Sequence, residues 1–257
     1  METKNRIVVY DFETNGFWNG LNQPIEACFK VIEDGVEIEL YHCYIKCKYR
    51  LNPFITGLTG ITDKMLEEKG VELPEAFKEI DRIVNTPNTL LVGHNILTFD
   101  NKFLNYYLQL YLYKEITNSI CFDTAGQLKA ELVGFNLEDF DSVDKMHSKA
   151  LSKTVKGLHY KLSDALSHYK IRYEDRLHGA ISDVEATYKI YLEQVKRGLP
   201  KGNYLEKERE TDLFYKELIN DEKKKRKILE MKLKRIENLK KEGYTNSEIK
   251  IKLLNEL

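Results

Sequence analysis

Two runs rich in β-branched and aromatic residues, 25–33 and 36–46, meet at Asp34-Gly35. Glycine tolerates the positive φ that a tight two-residue turn demands, so the pair is predicted to fold back as an antiparallel hairpin. Arg6 to Asp11 is a third run of the same kind, and the three strands are expected to pair locally. After them the period changes. Pro74 opens a helix to about Val84, because proline suits a first helical turn. Thr89–Val92 is a short strand. Asp100 to Tyr113 carries apolar side chains at 103, 104, 107, 108 and 111, which is helical spacing. Ser119–Phe122 is another strand, residues 125–160 are expected to mix helices and loops, Leu162–Tyr169 is a short helix, and Ala180–Val195 a long one. Strands first, then strands alternating with helices, gives an α/β chain: a mixed sheet with helices packed on it.

Composition narrows the class. Of 257 residues, 42% are hydrophobic, too many for a disordered chain. No run of about 18 apolar residues could span a membrane, and the start lacks the apolar core of a signal peptide. Four scattered cysteines (28, 43, 47, 121) read as thiols in a reducing compartment, because Cys43 and Cys47 lack a second pair for zinc. The formal net charge of -1 conceals a split: residues 1–200 hold 24 basic against 29 acidic side chains, and residues 201–257 hold 16 against 12. No basic footprint points to nucleic acid, so any such function must come from a site.

Three short patterns carry chemistry. Asp11 and Glu13 stand two apart on a strand and share one face. Like charges side by side are costly unless compensated, and a hard divalent cation compensates them with carboxylate oxygens as ligands; a solvated strand end is the plainer alternative. A buried strand ends in Gly93-His94-Asn95, with Asp100 following at a helix start, where the helix dipole alone would favour an acid. His178 precedes a helix that carries Asp183 in its first turns.

In this order the patterns resemble the DEDDh group of 3′–5′ exonucleases, which includes epsilon-type proofreading subunits, TREX-like exonucleases and ribonuclease T. Asp11-Phe12-Glu13-Thr14-Asn15-Gly16 looks like its first motif, Leu58-Thr59-Gly60-Ile61-Thr62 like a turn of the epsilon-like branch, and Gly93-His94-Asn95 through Phe99-Asp100 like its second motif. Phe122-Asp123-Thr124 matches the step after the next strand. Lys161–Leu166, with His178 to Asp183 and Ala186-Thr187, look like the third. The tyrosine variant of the superfamily needs Tyr where Gly179 stands, so the histidine variant is the one matched. The resemblance covers residues 5–196.

It implies a ribonuclease-H-like fold and two Mg²⁺ or Mn²⁺ ions held by Asp11, Glu13, Asp100 and Asp183, with His178 taking a proton from the attacking water. It also implies that Thr14, Gly16 and Phe17 approach the 3′-terminal nucleotide, that Phe17 and Ile61 pack on its base, and that Asn95 and Phe99 lie near the phosphate and the second base. Core packing accounts equally well for Phe17, Ile61 and Phe99. His94 is expected to hold its turn rather than bind metal. Asn15 replaces a common Thr, and Trp18–Asn22 lengthens the following loop. Lys145, Lys149, Lys153 and Lys156 could track a phosphate backbone, although Glu138, Asp139, Asp141 and Asp144 make a solvated surface as good a reading.

Gly198–Asn203 is a cluster of helix breakers, so residues 1–198 are expected to form the exonuclease domain and 204–257 a charged helical extension. Leu229, Leu233, Ile236 and Leu239 form its apolar stripe, and Thr245–Glu248 starts a terminal hairpin. Family tails bind a polymerase or sliding clamp. Glu210–Phe214 loosely resembles a clamp-binding peptide, although Leu213 and Phe214 as anchors of the tail are preferred. Lys223–Lys227 is a solvated face or a contact for acidic partners. The expected function is metal-dependent 3′–5′ hydrolysis at single-stranded DNA ends, in proofreading or repair, in the cytoplasm of a bacterium or phage-infected cell. The same chemistry on RNA and a non-catalytic scaffold are the alternatives; five costly polar groups kept together argue against the scaffold.

Overall fold

The computed structural model describes residues 6–17, 22–174, 177–197 and 241. The extension, its clamp-like peptide and the lengthened loop at Trp18 lie outside the described residues.

Five strands form one mixed sheet in the order β3-β2-β1-β4-β5. They are β1 (Arg6–Thr14), β2 (Pro24–Glu33), β3 (Val36–Tyr44), β4 (Thr89–Gly93) and β5 (Cys121–Asp123). β1 is central, antiparallel to β2 and parallel to β4; β3 runs antiparallel to β2, and β5 parallel to β4. The hairpin turns where expected, with Asp34 and Gly35 both at positive φ, 50° and 83°.

The eight α-helices of the described residues are α1 (Pro53–Thr59), α2 (Asp63–Lys69), α3 (Leu73–Val84), α4 (Asp100–Leu110), α5 (Thr124–Leu132), α6 (Val143–Ser152), α7 (Leu162–His168) and α8 (Ala180–Lys196). They cover both faces of the sheet, and strand periodicity sorts the side chains between them. Val8, Tyr10 and Phe12 of β1, with Ala27, Phe29 and Val31 of β2, pack against Phe77 and Ile80 of α3 and Phe103 and Leu104 of α4. The alternate residues Val9, Cys28 and Ile32 pack against Ala180, Val184 and Tyr191 of α8. Asp11 and Glu13 continue the α8 side of β1, so that layer is apolar at one end and acidic at the other.

The stretch 125–160 is built into the fold. Met146 and Ala150 of α6 pack on Ala130 of α5. Lys145 pairs with Asp141 at 2.6 Å in the open, which favours the solvated-surface reading. α1 and α2 were not expected as helices; the turn at Leu58–Thr62 is the joint between them, with Gly60 capping α1 at φ 78° and Thr62 capping α2. α4 stops at Leu110 rather than Tyr113, because Leu112 takes a left-handed φ of 64° and turns the chain. Ser119 and Ile120 belong to a 3₁₀ turn, leaving three residues in β5.

Candidate active site

The parallel strands β1, β4 and β5 all end at one edge of the sheet, and α8, packed antiparallel to β1, begins there. Asp11 and Glu13 lie at the end of the central strand, Asp183 in the first turn of α8, and Asp100 at the start of α4 in the opposite layer. Asp11, Glu13 and Asp183 each present an oxygen atom, and these atoms lie within 4.8 Å of one another. Asp100 joins them over the sheet edge: its Oδ1 accepts the Phe12 backbone N–H at 3.2 Å, from the residue between the two strand acids.

Three acids so close, with a fourth beside them, repel one another. Burial raises the Asp11 carboxyl well above its usual range, and the charges of Asp100, Glu13 and Asp183 raise it further. Burial, then Asp183 and Glu26, push Glu13 up to about 8. Burial lifts Asp100 to about 7, against the Phe12 hydrogen bond, and lifts Asp183 against hydrogen bonds from His178 and Ser182. Without a cation the site would hold protons near neutral pH. Closely spaced carboxylate oxygens are a fitting donor set for a hard divalent ion.

His178 is exposed at φ 75°, and its backbone N–H donates to Asp183 Oδ1 at 3.1 Å. That bond ties a left-handed residue, a conformation disfavoured by its Cβ, to the acid it serves.

Asp123, fully buried, builds the second motif's turn. Its carboxylate accepts the backbone N–H groups of Asn95 (2.9 Å), Leu97 (3.0 Å), Ala125 (3.0 Å) and Gly126 (2.9 Å), so one side chain caps α5 and fixes the turn before α4. His94 holds the same turn from outside, its Nε2 at 2.9 Å from the Tyr160 carbonyl and its Nδ1 at 2.8 Å from Thr124 Oγ1. Burial lowers its pKa to about 4, so it is neutral. Gly93 is obligatory here, because a Cβ would strike the Ile96 side chain and lie 3.0 Å from the Tyr10 carbonyl oxygen.

The residues expected around a terminal nucleotide divide. Thr14 is buried, with Oγ1 donating to the Gly16 carbonyl at 2.9 Å. A Cβ on Gly16 would collide with Asn22, whose Nδ2 donates to the Phe17 carbonyl at 2.7 Å. Phe17 is 82% exposed, so core packing does not account for it. It meets the half-buried Phe99 edge to face at 6.3 Å, and the two make an aromatic ledge. The side chain of Asn95, at φ 67°, accepts from Thr98 Oγ1 at 2.6 Å. Ile61 is 2% exposed and packed with Ile25, Leu51 and Leu66, so its packing role is satisfied and little of it is left to face a base. Asn15 has a structural task that its sequence did not reveal: Oδ1 accepts Gln23 N–H at 2.7 Å, and Nδ2 donates to Cys47 Sγ at 3.3 Å.

Acids from both layers meet at the carboxyl edge of an α/β sheet, an arrangement that could hold a divalent cation, and residues 8–191 match the exonuclease family model of the ribonuclease T type. The chain belongs to this family, within the DEDD-type 3′–5′ exonuclease superfamily. It is similar to a PolC-type DNA polymerase III of Mycoplasmopsis pulmonis, 34% identical over 203 residues covering 78% of this chain and 12% of that protein. It is likewise similar to the 3′–5′ exonuclease DinG of Bacillus subtilis, 31% identical over 204 residues, 76% of this chain and 18% of the other. The chain thus spans less than a fifth of either relative. E. coli exonuclease I, in a crystal structure with a dT13 oligonucleotide, superposes with a TM-score of 0.58 at 19% identity over 76% of this chain and 41% of that one, which shows a shared fold. No helix of the described residues is long and apolar enough to cross a membrane.

Proposed function

We propose that the chain is a metal-dependent 3′–5′ exonuclease that releases nucleoside monophosphates from single-stranded DNA ends, in replication proofreading or repair. The observation that carries this reading is the meeting of Asp11, Glu13 and Asp183 oxygens within 4.8 Å, with Asp100 beside them. The relatives named for DNA polymerase and 3′–5′ exonuclease activity support DNA over RNA.

Asp11, Glu13, Asp100 and Asp183 are the residues to hold two Mg²⁺ or Mn²⁺ ions. Bound there, such ions would neutralise phosphate charge, stabilise the attacking and leaving oxygens of an in-line displacement, and let an acidic body accept a polyanion. His178 takes the proton from the attacking water as its oxygen bonds to the phosphorus of the last phosphodiester. The bond from that phosphorus to the O3′ of the penultimate nucleotide breaks, the freed O3′ takes up a proton, and a nucleoside 5′-monophosphate leaves. His178 suits this role because the residue is exposed while its backbone N–H is tied to Asp183. Phe17 and Phe99 offer the terminal bases an aromatic surface, a contact that tolerates any sequence. Gly16 lets the backbone come close to the terminal sugar. We further propose that residues 1–198 are the exonuclease domain and that the segment after them serves a polymerase or clamp partner.

The test is a paired digestion of 5′-labelled single-stranded DNA and RNA of one sequence, with Mg²⁺ or with EDTA. A ladder shortening from the 3′ end on DNA, lost in EDTA, is expected. A ladder on RNA alone would move the protein to RNA turnover, and silence on both would reject the reading.

A further inference from the structure

We propose that Glu26, assisted by Lys30, is a positioning residue that fixes α8 against β1 and so sets Asp183 and His178 opposite Asp11 and Glu13. The inference rests on the metal-centre reading above. Glu26 lies on β2 directly across from Glu13. It is 5% exposed, a fifth carboxylate beside four others.

Both of its oxygens are engaged. Oε2 accepts the backbone N–H of Ala180, the first residue of α8, at 3.1 Å. Oε1 lies 2.7 Å from His42 Nε2 on β3. One side chain therefore ties the edge strand, the next strand and the start of α8 together. Four residues further along β2, on the same face, Lys30 Nζ pairs with Glu185 of α8 and with Glu37 of β3 at 2.8 Å. Ala180 and Glu185 bracket Asp183, so the two pins from one strand hold the helix on either side of the acid.

The pins are needed because of what lies between. The layer between α8 and β1 is apolar at Val9 and Val184 but acidic at Asp11 and Glu13. Apolar contact at Ala180, Val184 and Tyr191 holds α8 on the sheet, but Asp183 in its first turn faces the carboxylates of Asp11 and Glu13. A helix rises about 1.5 Å per residue, so a slip of less than one residue would displace Asp183 by about 1 Å, and misplacements of that size can cost about 10²-fold in rate. With both oxygens engaged, Glu26 acts through the helix and not as a further ligand.

The experiment titrates Mn²⁺ into wild type and the variants Glu26→Ala, Glu26→Gln and Lys30→Met, reading free Mn²⁺ by electron paramagnetic resonance, with folding checked by thermal melts. Glutamine keeps the acceptor for Ala180 N–H, so Glu26→Gln should bind Mn²⁺ within about threefold of wild type. Glu26→Ala should bind it about 10–100-fold more weakly, the range for losing a partner that orients a ligand. Lys30→Met, with one pin left, should weaken binding by a few-fold, and it carries the test together with Glu26→Gln if Glu26→Ala does not fold. Folded Glu26→Ala and Lys30→Met proteins that bind Mn²⁺ as wild type does would overturn the proposal while leaving the metal centre intact. A Glu26→Gln protein as weak as Glu26→Ala would overturn it in favour of a charge role. Wild type that binds no Mn²⁺ would remove the metal-centre reading and this inference with it.

Discussion

Replacing Asp100 by Asn should disable the enzyme yet stabilise the metal-free protein, and the size of that gain should depend on pH in a defined way. Asp100 is 3% exposed, and burial pushes its carboxyl from an ordinary 3.8 to about 7. A carboxyl whose folded pKa is raised stabilises the fold only while protonated: the contribution is whole below about pH 4 and is lost as pH rises through about 7. At pH 8 the ionised group costs the fold at most about 4 kcal/mol, at about 1.4 kcal/mol for each tenfold change in proton affinity. Asparagine keeps the acceptor for Phe12 N–H but brings an amide that lacks its own acceptor, a loss of about 1–3 kcal/mol. The net gain at pH 8 is therefore about 1–3 kcal/mol, or roughly 3–9 °C in Tm for a domain of this size. The assay is thermal unfolding of wild type and Asp100→Asn in EDTA from pH 4 to pH 9. At pH 4, where Asp100 is protonated and only the amide cost remains, the variant should be the less stable by about 1–3 kcal/mol; the difference should change sign as pH rises and favour the variant most at pH 8. Mg²⁺ should then raise the wild-type Tm, by up to about 2.7 kcal/mol of stability at a hundredfold excess over Kd, and raise the variant's far less. A variant that is less stable at pH 8, or a difference that does not change with pH, would refute the reasoning.

Other substitutions separate the parts of the site. His178→Ala should lower kcat by about 10²–10⁴ while leaving calorimetric Mg²⁺ binding unchanged, because the ring is offered as a base and not as a ligand. Asp123→Ala should destabilise the fold by several kcal/mol in urea unfolding, because four backbone donors lose a charged acceptor worth about 1.5–3 kcal/mol for each bond; Asp123→Asn should fall between. Phe17→Ala should raise KM for single-stranded DNA by about 5–150-fold, equivalent to about 1–3 kcal/mol of base stacking, with little change in Tm, since the ring is exposed.

The four acids and His178 were singled out through the resemblance of their motifs, taken in order, to the DEDDh exonucleases; each pattern alone fits a solvated strand end or a helix-start acid equally well. The hairpin was legible because Asp34-Gly35 fixes its own turn. Glu26 was not: its place opposite Glu13 depends on the register between β1 and β2, and the connection from Asn15 to Gln23 is too long to set register locally. α1 hides for a different reason. It buries none of its residues, so it shows no apolar period, and only Asn52 before Pro53, accepting from Phe54 N–H at 2.9 Å, marks its start. The end of α4 misled because the apolar period runs on through Tyr111 while Leu112 turns left-handed without the glycine that normally signals it. Asp123 was visible as a motif residue, but its work on four backbone groups appears only once β4 and β5 lie side by side.

The central claim is that Asp11, Glu13, Asp100 and Asp183 are one divalent-metal centre, and its most direct measurement needs no substrate. Isothermal titration of Mn²⁺ into metal-free wild type and Asp11→Ala at pH 8 reads the centre itself. Saturable binding near two ions per chain, with release of protons from the raised carboxyls and marked loss in Asp11→Ala, is the expected result. Absence of saturable binding in wild type, or equal binding in Asp11→Ala, would contradict it.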